Sequence, residues 1–403
     1  MAKRIFDLPK EQDLTKDQRI AIRKPADGQY LVVGAPGTGK SVVALWRLKK
    51  YADEKEIQFL TFNHVLNHAN RALVGDSQKY EMNTAMSWLY DLHWKLVDGN
   101  FGNFNKNKMP QISSYQPDYK KLMETFKSHN VDRSNLSLII DEGQDLPPAW
   151  YVAVEELNIE NFFVVADQNQ QITDQNSSHD ELIDLLGLEK ADVIHLKENW
   201  RNTTPIAAFA NYFYTDKSSL KPELPNKPSV HAPILYEYQN LDSVKEIILS
   251  SYDNDPSKLL GLIVANDCKR EWWSKELKKD DKIRRESAPI INTYDSSQKN
   301  RVHIDFDQGG IVVLNDKSVK GIEFDEVFII IDDFKAINND KESLMKRMYV
   351  MASRARDRLF LFKSGASGRK SVFEEVLPPN GTTISIERQG KLEELELMKR
   401  IKI

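Results

Sequence analysis

A glycine-rich segment at residues 34–41, with the sequence GAPGTGKS, contains the residue types that bind phosphate. Glycines allow backbone N–H groups to close around phosphate oxygens, and a helix that follows adds the positive end of its dipole. Lys40 can carry its charge to the β- and γ-phosphates, and the Ser41 hydroxyl can reach a Mg²⁺ ion bound to them. The glycines that we expect to surround a nucleotide are Gly34, Gly37 and Gly39.

An acidic segment follows about one hundred residues later, at 138–145, with the sequence LIIDEGQD. Asp141 is expected to hold the Mg²⁺ ion, directly or through water, and Glu142 to orient and deprotonate an attacking water. Each segment supplies what the other lacks. Together they predict the hydrolysis of a nucleoside triphosphate with Mg²⁺.

Buried strands and helices must position these two segments. An apolar run at 30–33 predicts a strand that ends at the glycine loop, and the pattern at 42–48 predicts the helix that follows it. Short apolar runs then alternate with helical patterns, which is typical of parallel sheets covered by helices. The further predicted strands are 57–62, 138–140, 162–166 and 193–196 in the first half, and 259–265, 310–314, 327–331 and 359–362 in the second.

The strand pattern restarts near residue 201, which predicts two domains. We expect an α/β fold of two RecA-like P-loop NTPase domains, 1–200 and 201–375, with parallel sheets flanked by helices and the ATP site at the interdomain cleft. The remaining segment, 376–403, is predicted to contain an amphipathic helix, because apolar residues recur there at helical spacing. These residues are Leu392, Leu395, Met398 and Ile401.

Composition narrows the class of protein. The chain has 403 residues, of which 40% are hydrophobic and 29% charged, and its formal net charge of −4 argues against a generally basic surface. Any nucleic-acid site must then be a local cleft. The single cysteine, Cys268, excludes an internal disulfide framework and fits a reducing compartment. Neither a signal-peptide pattern nor an apolar run long enough for a membrane span is visible, so we expect a cytoplasmic protein without a membrane partner.

The order of short motifs along the chain resembles that of the superfamily 1 helicases of the UvrD/Rep/PcrA group. The segment 141–145 (DEGQD) is the most specific of them. The other matching segments are 14–18 (LTKDQ), 165–172 (VADQNQQI), 196–202 (LKENWRN), 319–327 (VKGIEFDEV) and 349–356 (YVMASRAR). The likeness covers most of the chain and implies a helicase-type ATPase.

The resemblance also implies roles for individual residues. Gln18 would pair with the edge of adenine, which favours ATP, and Gln170 would sense the γ-phosphate. Arg201 would touch the γ-phosphate, while Trp200 would stack on the adenine ring.

In the second domain, the resemblance makes Glu323 a ribose or metal-shell contact and Arg354 a second arginine finger. Arginine suits such positions because its planar fork can stabilise charge on transferring oxygens. ATP would then draw the two domains together, and hydrolysis or product release would let them part.

A path for single-stranded nucleic acid, with DNA favoured over RNA, is implied by two further segments. Thr61 would touch a phosphate and Phe62 would stack on a base, and Thr84 belongs to the next motif of the group. The chain departs from the group in lacking aromatic residues at 173–175 and the large inserted subdomains. Stacking contributes on the order of 1–3 kcal/mol per base, so these departures predict a weaker grip.

Two functions remain open from the sequence. The first is an ATP-dependent DNA helicase or translocase that acts on single strands, with 3′→5′ polarity by resemblance, in DNA repair or anti-phage defence. The second is an ATPase switch that regulates a protein partner, such as a nuclease or another defence subunit, with little unwinding of its own.

Overall fold

The computed structural model describes residues 7–75, 77–97, 109–113, 116–167, 176–216, 222–279, 289–294, 304–336, 340–366, 370–388 and 390–403. The chain divides into two compact units. The N-terminal unit consists of Leu8–Gly34 and Gly39–Lys197. The C-terminal unit contains Glu198–Ile403 together with Ala35–Thr38, the tip of the glycine loop.

The N-terminal unit is a parallel sheet covered by helices. Its strands are β1 (Gln29–Gly34), β2 (Glu56–Thr61), β3 (Tyr80–Thr84), β4 (Gln111–Ser113), β5 (Gln116–Pro117), β6 (Leu136–Asp141), β7 (Asn161–Ala166) and β8 (Val193–Leu196). Its helices are α1 (Lys16–Arg23), α2 (Lys40–Tyr51), α3 (His64–Val74), α4 (Ala85–Val97), α5 (Tyr119–Ser128), α6 (Pro148–Glu155) and α7 (His179–Leu185). The large sheet has the order β3-β2-β6-β7-β1-β8, and every neighbouring pair in it is parallel.

Two hydrophobic cores cover the two faces of this sheet. Successive residues of β6 point into different cores. Leu138 and Ile140 pack with α4–α7, whereas Ile139 packs with α1 and α2. All six residues of β6 are therefore buried. A strand buried on both faces has a nearly continuous apolar sequence, which is why these strands could be predicted.

The C-terminal unit is also built on a parallel sheet. Its strands are β9 (Ile234–Tyr238), β10 (Leu259–Val264), β11 (Ile291–Thr293), β12 (Gly310–Asn315), β13 (Phe324–Ile330), β14 (Ala355–Ser364), β15 (Thr383–Arg388), β16 (Lys391–Glu396) and β17 (Lys399–Lys402). Its helices are α8 (Thr204–Tyr212), α9 (Leu241–Asn254), α10 (Asp267–Lys279) and α11 (Lys341–Ala352). The order of the sheet is β11-β12-β10-β13-β14-β9-β17, again with parallel neighbours throughout.

The expected fold class is confirmed: the chain is an α/β protein with two large parallel sheets flanked by helices, consistent with two RecA-like domains. The strands that the sequence predicts in the first half and in the second half of the chain are all present. Among the described residues, no helix is long and apolar enough to cross a bilayer.

The amphipathic helix predicted within 376–403 is wrong. The segment forms β15 and β16, which pair as an antiparallel hairpin, and β17, which joins the main sheet beside β9. Leu392, expected on the buried face of a helix, is 80% exposed, whereas Leu397 and Met398 are buried. Pairing with the edge of an existing sheet outweighs the local helical spacing.

Candidate active site

Several polar residues predicted to belong to a functional site lie together at the carboxyl ends of the strands in the N-terminal unit. Thr84, Thr61 and Asp141 lie side by side in register at the ends of β3, β2 and β6. β7 separates β6 from β1, the strand that ends at Gly34. Because parallel α/β sheets bind ligands at this edge, the acidic segment and the glycine loop are placed to act on one molecule.

The glycine loop leads directly into a helix, as a phosphate site requires. Gly37 and Gly39 both have positive φ, +80° and +82°, a conformation that other residues rarely adopt. α2 begins at Lys40, so its first backbone N–H groups lack partners within the helix and can bind an anion. The Lys40 Nζ atom is buried, where it donates to the Gly34 carbonyl at 2.7 Å and lies 3.3 Å from Asp167 Oδ2.

Gln18 is packed against this loop. A Cβ atom at Gly39 would lie 2.3 Å from Gln18 Nε2, so only glycine fits beneath the amide. The other end of the same amide caps α1: Gln18 Oε1 accepts from the Thr15 N–H at 2.8 Å, and Thr15 Oγ1 accepts from the Gln18 N–H at 3.1 Å. The structure therefore holds Gln18 at the loop, and its contact with adenine stays a prediction.

Asp141 is a buried carboxylate with one oxygen left open. Asn70 Nδ2 donates to Asp141 Oδ2 at 3.1 Å, and the Ser41 hydroxyl bonds to the same carboxylate. Asp141 Oδ1 has no hydrogen-bond partner among the described residues, although the side chain is only 1% exposed. Burial, and then the nearby Glu142, raise the pKa of Asp141 well above its usual value.

This environment suits a magnesium ion. Mg²⁺ prefers oxygen ligands and binds with one or two protein groups while it keeps water or phosphate oxygens. A carboxylate oxygen that lacks a donor, next to the Ser41 hydroxyl at the mouth of a phosphate loop, provides that donor set. A divalent cation would also offset the burial that raises the pKa of Asp141.

Glu142 is held in an uncommon backbone conformation immediately after Asp141. Its φ of +61° places it in the left-handed region, and the side chain is 5% exposed. Such a conformation costs of order 1–3 kcal/mol and persists only where the surroundings enforce it. At the next residue, a Cβ atom on Gly143 would lie 2.3 Å from Val164 Cγ1 and 2.8 Å from the Tyr151 hydroxyl. The position after Glu142 therefore has no space for a side chain, and Glu142 itself lies directly after the end of β6.

Gln144 links these acidic groups and was not among the predicted site residues. Its Nε2 donates to Glu142 Oε2 at 2.6 Å, and its Oε1 accepts from the Asp167 N–H at 3.0 Å. Gln144 is fully buried, so it fixes the orientation of Glu142 relative to the strand that ends next to Asp167. The sequence could have indicated this role, because Gln144 belongs to the DEGQD segment and lies three residues after Asp141. Asn70 gave no such signal, because its role depends on how α3 packs.

In the C-terminal unit, two arginines meet at one residue. Arg201 Nη1 donates to the Ser353 carbonyl at 3.4 Å, and Arg354 Nη2 donates to the Ser353 hydroxyl at 3.2 Å. Arg354 is only 1% exposed, and its Nε donates to the Val350 carbonyl at 3.0 Å. The Nε of Arg201 is buried and has no partner among the described residues.

Glu323 forms an ion pair with Arg201. Desolvation acts to raise the pKa of Glu323, but the guanidinium of Arg201, helped by Arg356 and Arg354, outweighs it and lowers that pKa below its usual range. Glu323 is therefore anionic at neutral pH and neutralises part of the arginine charge. The ribose or metal-shell contact implied by the resemblance stays a prediction.

The tip of the glycine loop packs within this unit beside Trp200. The backbone N–H of Trp200 donates to the Gly37 carbonyl at 2.9 Å. A Cβ atom at Gly37 would lie 2.3 Å from Asn199 Oδ1 and 2.9 Å from the Arg201 Cβ. Asn199 Oδ1 also accepts from the backbone N–H groups of Arg201 and Asn202, at 3.0 and 3.2 Å. The Trp200 side chain is 62% exposed and can accept a stacked ring.

The predicted nucleic-acid contacts are less accessible. Thr61 is 1% exposed and its hydroxyl donates to the Asn63 carbonyl at 3.2 Å. Thr84 is 4% exposed and its hydroxyl bonds to Ser87 at the start of α4. Phe62 is half-buried against the hydrophobic core. Contact of these residues with nucleic acid stays a prediction, and Gln170 lies outside the described residues.

The fold and the site define an α/β protein with a glycine loop between a buried strand and a helix and with an acidic pair at the same sheet edge. No protein-family model and no curated protein matches the chain. Among solved structures it is similar to the C-terminal domain of a possible DNA helicase from Lactobacillus plantarum WCFS1, at 16% identity and a TM-score of 0.32, over 50% of this chain and 98% of that one. A likeness of this size adds no argument to that from the residues.

Proposed function

We propose that the chain hydrolyses ATP with Mg²⁺ and couples this hydrolysis to single-stranded nucleic acid, DNA in preference to RNA, as a superfamily 1 motor of the UvrD-like kind. The observation that carries the proposal is the acidic pair. Asp141 is a buried carboxylate with an open oxygen beside Ser41, and Glu142 has a left-handed backbone conformation immediately before a glycine that has no space for a side chain. Strain of this kind concentrates at functional sites.

The residues of the N-terminal unit would divide the work as follows. The loop N–H groups and Lys40 bind the phosphates, for which the Lys40 ammonium exchanges its contacts with Gly34 and Asp167. Ser41 and Asp141 would hold Mg²⁺, which neutralises charge on the phosphate oxygens. Glu142 accepts a proton from the attacking water, while Gln144 keeps its carboxylate in place.

Arg201 and Arg354 are proposed to stabilise the charge that develops on the transferred phosphoryl group. Both side chains are held by Ser353, so the two guanidinium groups are fixed before a nucleotide arrives. Preorganised donors of this kind need no reorganisation during the reaction. Glu323 balances Arg201 in the nucleotide-free state.

The proposal is tested by ATP turnover of the purified chain with single-stranded DNA, single-stranded RNA and duplex, beside a strand-displacement assay. We expect single strands to stimulate hydrolysis, and salt to weaken this stimulation, because phosphate contacts release counterions. Glu142→Gln is the matched control for contaminating ATPases. Equal turnover with and without oligonucleotide at low salt would refute the coupling to nucleic acid.

A second function, an ATPase switch that acts on a protein partner, is favoured by the burial of Thr61 and Thr84. Both hydroxyls are engaged within the N-terminal unit, so little of this surface is offered to a phosphate backbone. Under this alternative, ATP changes the affinity for a co-purifying protein while oligonucleotides leave turnover unchanged. Robust strand displacement by the chain alone would exclude it.

A further inference from the structure

A cavity of about 190 Å³ lies at the carboxyl edge of the sheet in the C-terminal unit. Val264 and Ile330, the last residues of β10 and β13, form part of its lining, together with Tyr238 at the end of β9. Parallel sheets bind ligands at this edge. None of the proposed nucleotide or nucleic-acid residues lines this cavity, so it calls for a separate explanation.

Aromatic rings form much of its wall. Trp273 is buried at 2% exposure, whereas the adjacent Trp272 is 39% exposed. Their ring centroids are 5.1 Å apart, and the rings are nearly perpendicular. Packing against Trp273 holds the Trp272 ring in place while more than a third of Trp272 stays exposed, which suits contact with a flat group.

Two carboxylates of different character complete the lining. Asp332 is buried and engaged, because it accepts from the Tyr238 hydroxyl at 2.7 Å and from the Ser364 N–H. Asp333 is 34% exposed and forms an ion pair with Lys269 at 2.8 Å. Its φ of +64° is a left-handed conformation that an aspartate adopts only occasionally. Asp333 therefore adds a partly exposed carboxylate to the lining of the cavity.

Size and charge limit what can enter. A cavity of roughly 150 Å³ accommodates a benzene ring, so this one has room for a single side chain or ring and not for a whole nucleotide. Two carboxylates against one ammonium leave the lining net negative, which repels a phosphate backbone and attracts a cation. A flat cation satisfies both the aromatic wall and the carboxylate.

We propose that this cavity binds an arginine side chain of a partner polypeptide. The guanidinium stacks on Trp272 and donates two parallel hydrogen bonds to Asp333, an arrangement that an ammonium group cannot reproduce. Lys269 already occupies Asp333 in the free chain, so the incoming arginine displaces it. This inference goes beyond the proposed ATPase, and either can fail without the other.

Cys268 provides a direct readout, because it lines the cavity, is exposed and is the single cysteine of the chain. The probes are three blocked tripeptides, Gly-Arg-Gly, Gly-Lys-Gly and Gly-citrulline-Gly. Citrulline keeps the shape of arginine and removes its charge. Binding to the full chain is measured by titration calorimetry and by the protection of Cys268 from iodoacetamide, in the absence of ATP.

We expect the arginine peptide to bind more tightly than the lysine peptide, and the citrulline peptide to bind at least tenfold more weakly than the arginine peptide. Asp333→Asn should lower the affinity for arginine about tenfold, and the fold should tolerate it because asparagine accepts a positive φ. Trp272→Ala should weaken binding about threefold.

Lys269→Ala is the matched opposite control, since it removes the internal competitor and should strengthen the binding of arginine. Equal binding of arginine and citrulline peptides would overturn the proposal, as would binding that Asp333→Asn leaves unchanged. Absence of heat and of thiol protection with all three peptides would overturn it too. Protection of Cys268 by a deoxyoligonucleotide, and not by the arginine peptide, would assign the cavity to nucleic acid instead.

Discussion

Asp141→Asn should stabilise the nucleotide-free chain while it abolishes the use of Mg·ATP. The carboxylate is 1% exposed, and one of its oxygens has no hydrogen-bond partner among the described residues. Burial and Glu142 raise the pKa of Asp141 from 3.8 to about 6. A rise of this size corresponds to about 3 kcal/mol of lost stability at pH 8, which is an upper limit because Glu142 shares the effect. Asparagine keeps the shape of the side chain and removes the charge.

The sign of the effect depends on pH. A carboxylate with a raised pKa lowers the stability of the folded state only while it is ionised, so the penalty is full above the raised value and absent below the ordinary one. Asp141→Asn should therefore raise the Tm at pH 8 by at most about 6–12 °C, since each kcal/mol corresponds to about 2–4 °C for domains of this size. The gain should shrink steadily as the pH falls towards 4.

The assay is thermal unfolding between pH 4 and pH 8, followed by fluorescence, with nucleotide and Mg²⁺ omitted. Asp167→Asn is the matched control, because Asp167 has a buried cationic neighbour in Lys40 and should yield no gain. A lower Tm for Asp141→Asn at pH 8 would refute the reasoning. So would a gain of equal size at pH 4 and pH 8, since it could not come from the ionised carboxylate.

Three further substitutions test the other parts of the site. Glu142→Gln should leave ATP binding intact and reduce turnover by about 10²–10⁴-fold, as measured by fluorescent nucleotide titration and phosphate release; normal turnover would remove Glu142 from its role. Arg354→Ala should reduce kcat more than it raises the Kd for ATP, whereas a change confined to Kd would indicate a binding role only. Gly37→Ala should weaken nucleotide binding at least tenfold and lower the Tm, because the new Cβ would lie 2.3 Å from Asn199 Oδ1 and the residue has a φ of +80°. Gly75→Ala is the control for the loss of a positive-φ glycine, because a Cβ at that position meets nothing within 4 Å.

The parts of the fold that were predictable are those in which one local rule decides. Residues 138–140 at the centre of β6 are an apolar run because the strand is buried on both faces, and the helix after the glycine loop follows from the loop itself. The tail was mispredicted because Leu392 and Ile401 fit a helical spacing, while the actual structure depends on pairing between β17 and a strand that begins at Ile234. Pairing with so distant a strand produces no recognisable periodicity in the sequence of residues 376–403.

The same division applies to the site. Lys40, Asp141 and Glu142 could be proposed from the sequence because the chemistry expected of them is tied to short sequence patterns. The contacts that tune them were not, since Asn70 reaches Asp141 from another helix and Asn199 reaches Gly37 from a distant part of the chain. The left-handed φ of Glu142 also has no local sign, because glutamate has no preference for that conformation.

The position of β1 in its sheet has a consequence for how the protein folds during its synthesis. β1 has only two neighbours, β7 and β8, and both are encoded more than one hundred residues after it. During synthesis the glycine loop is therefore made early but gains a scaffold only when residues up to Leu196 have left the ribosome. A nascent chain halted before Asn161 would carry the sequence of the loop without its shape. The proposed nucleotide site can therefore form only late in synthesis, when the last neighbouring strand is in place.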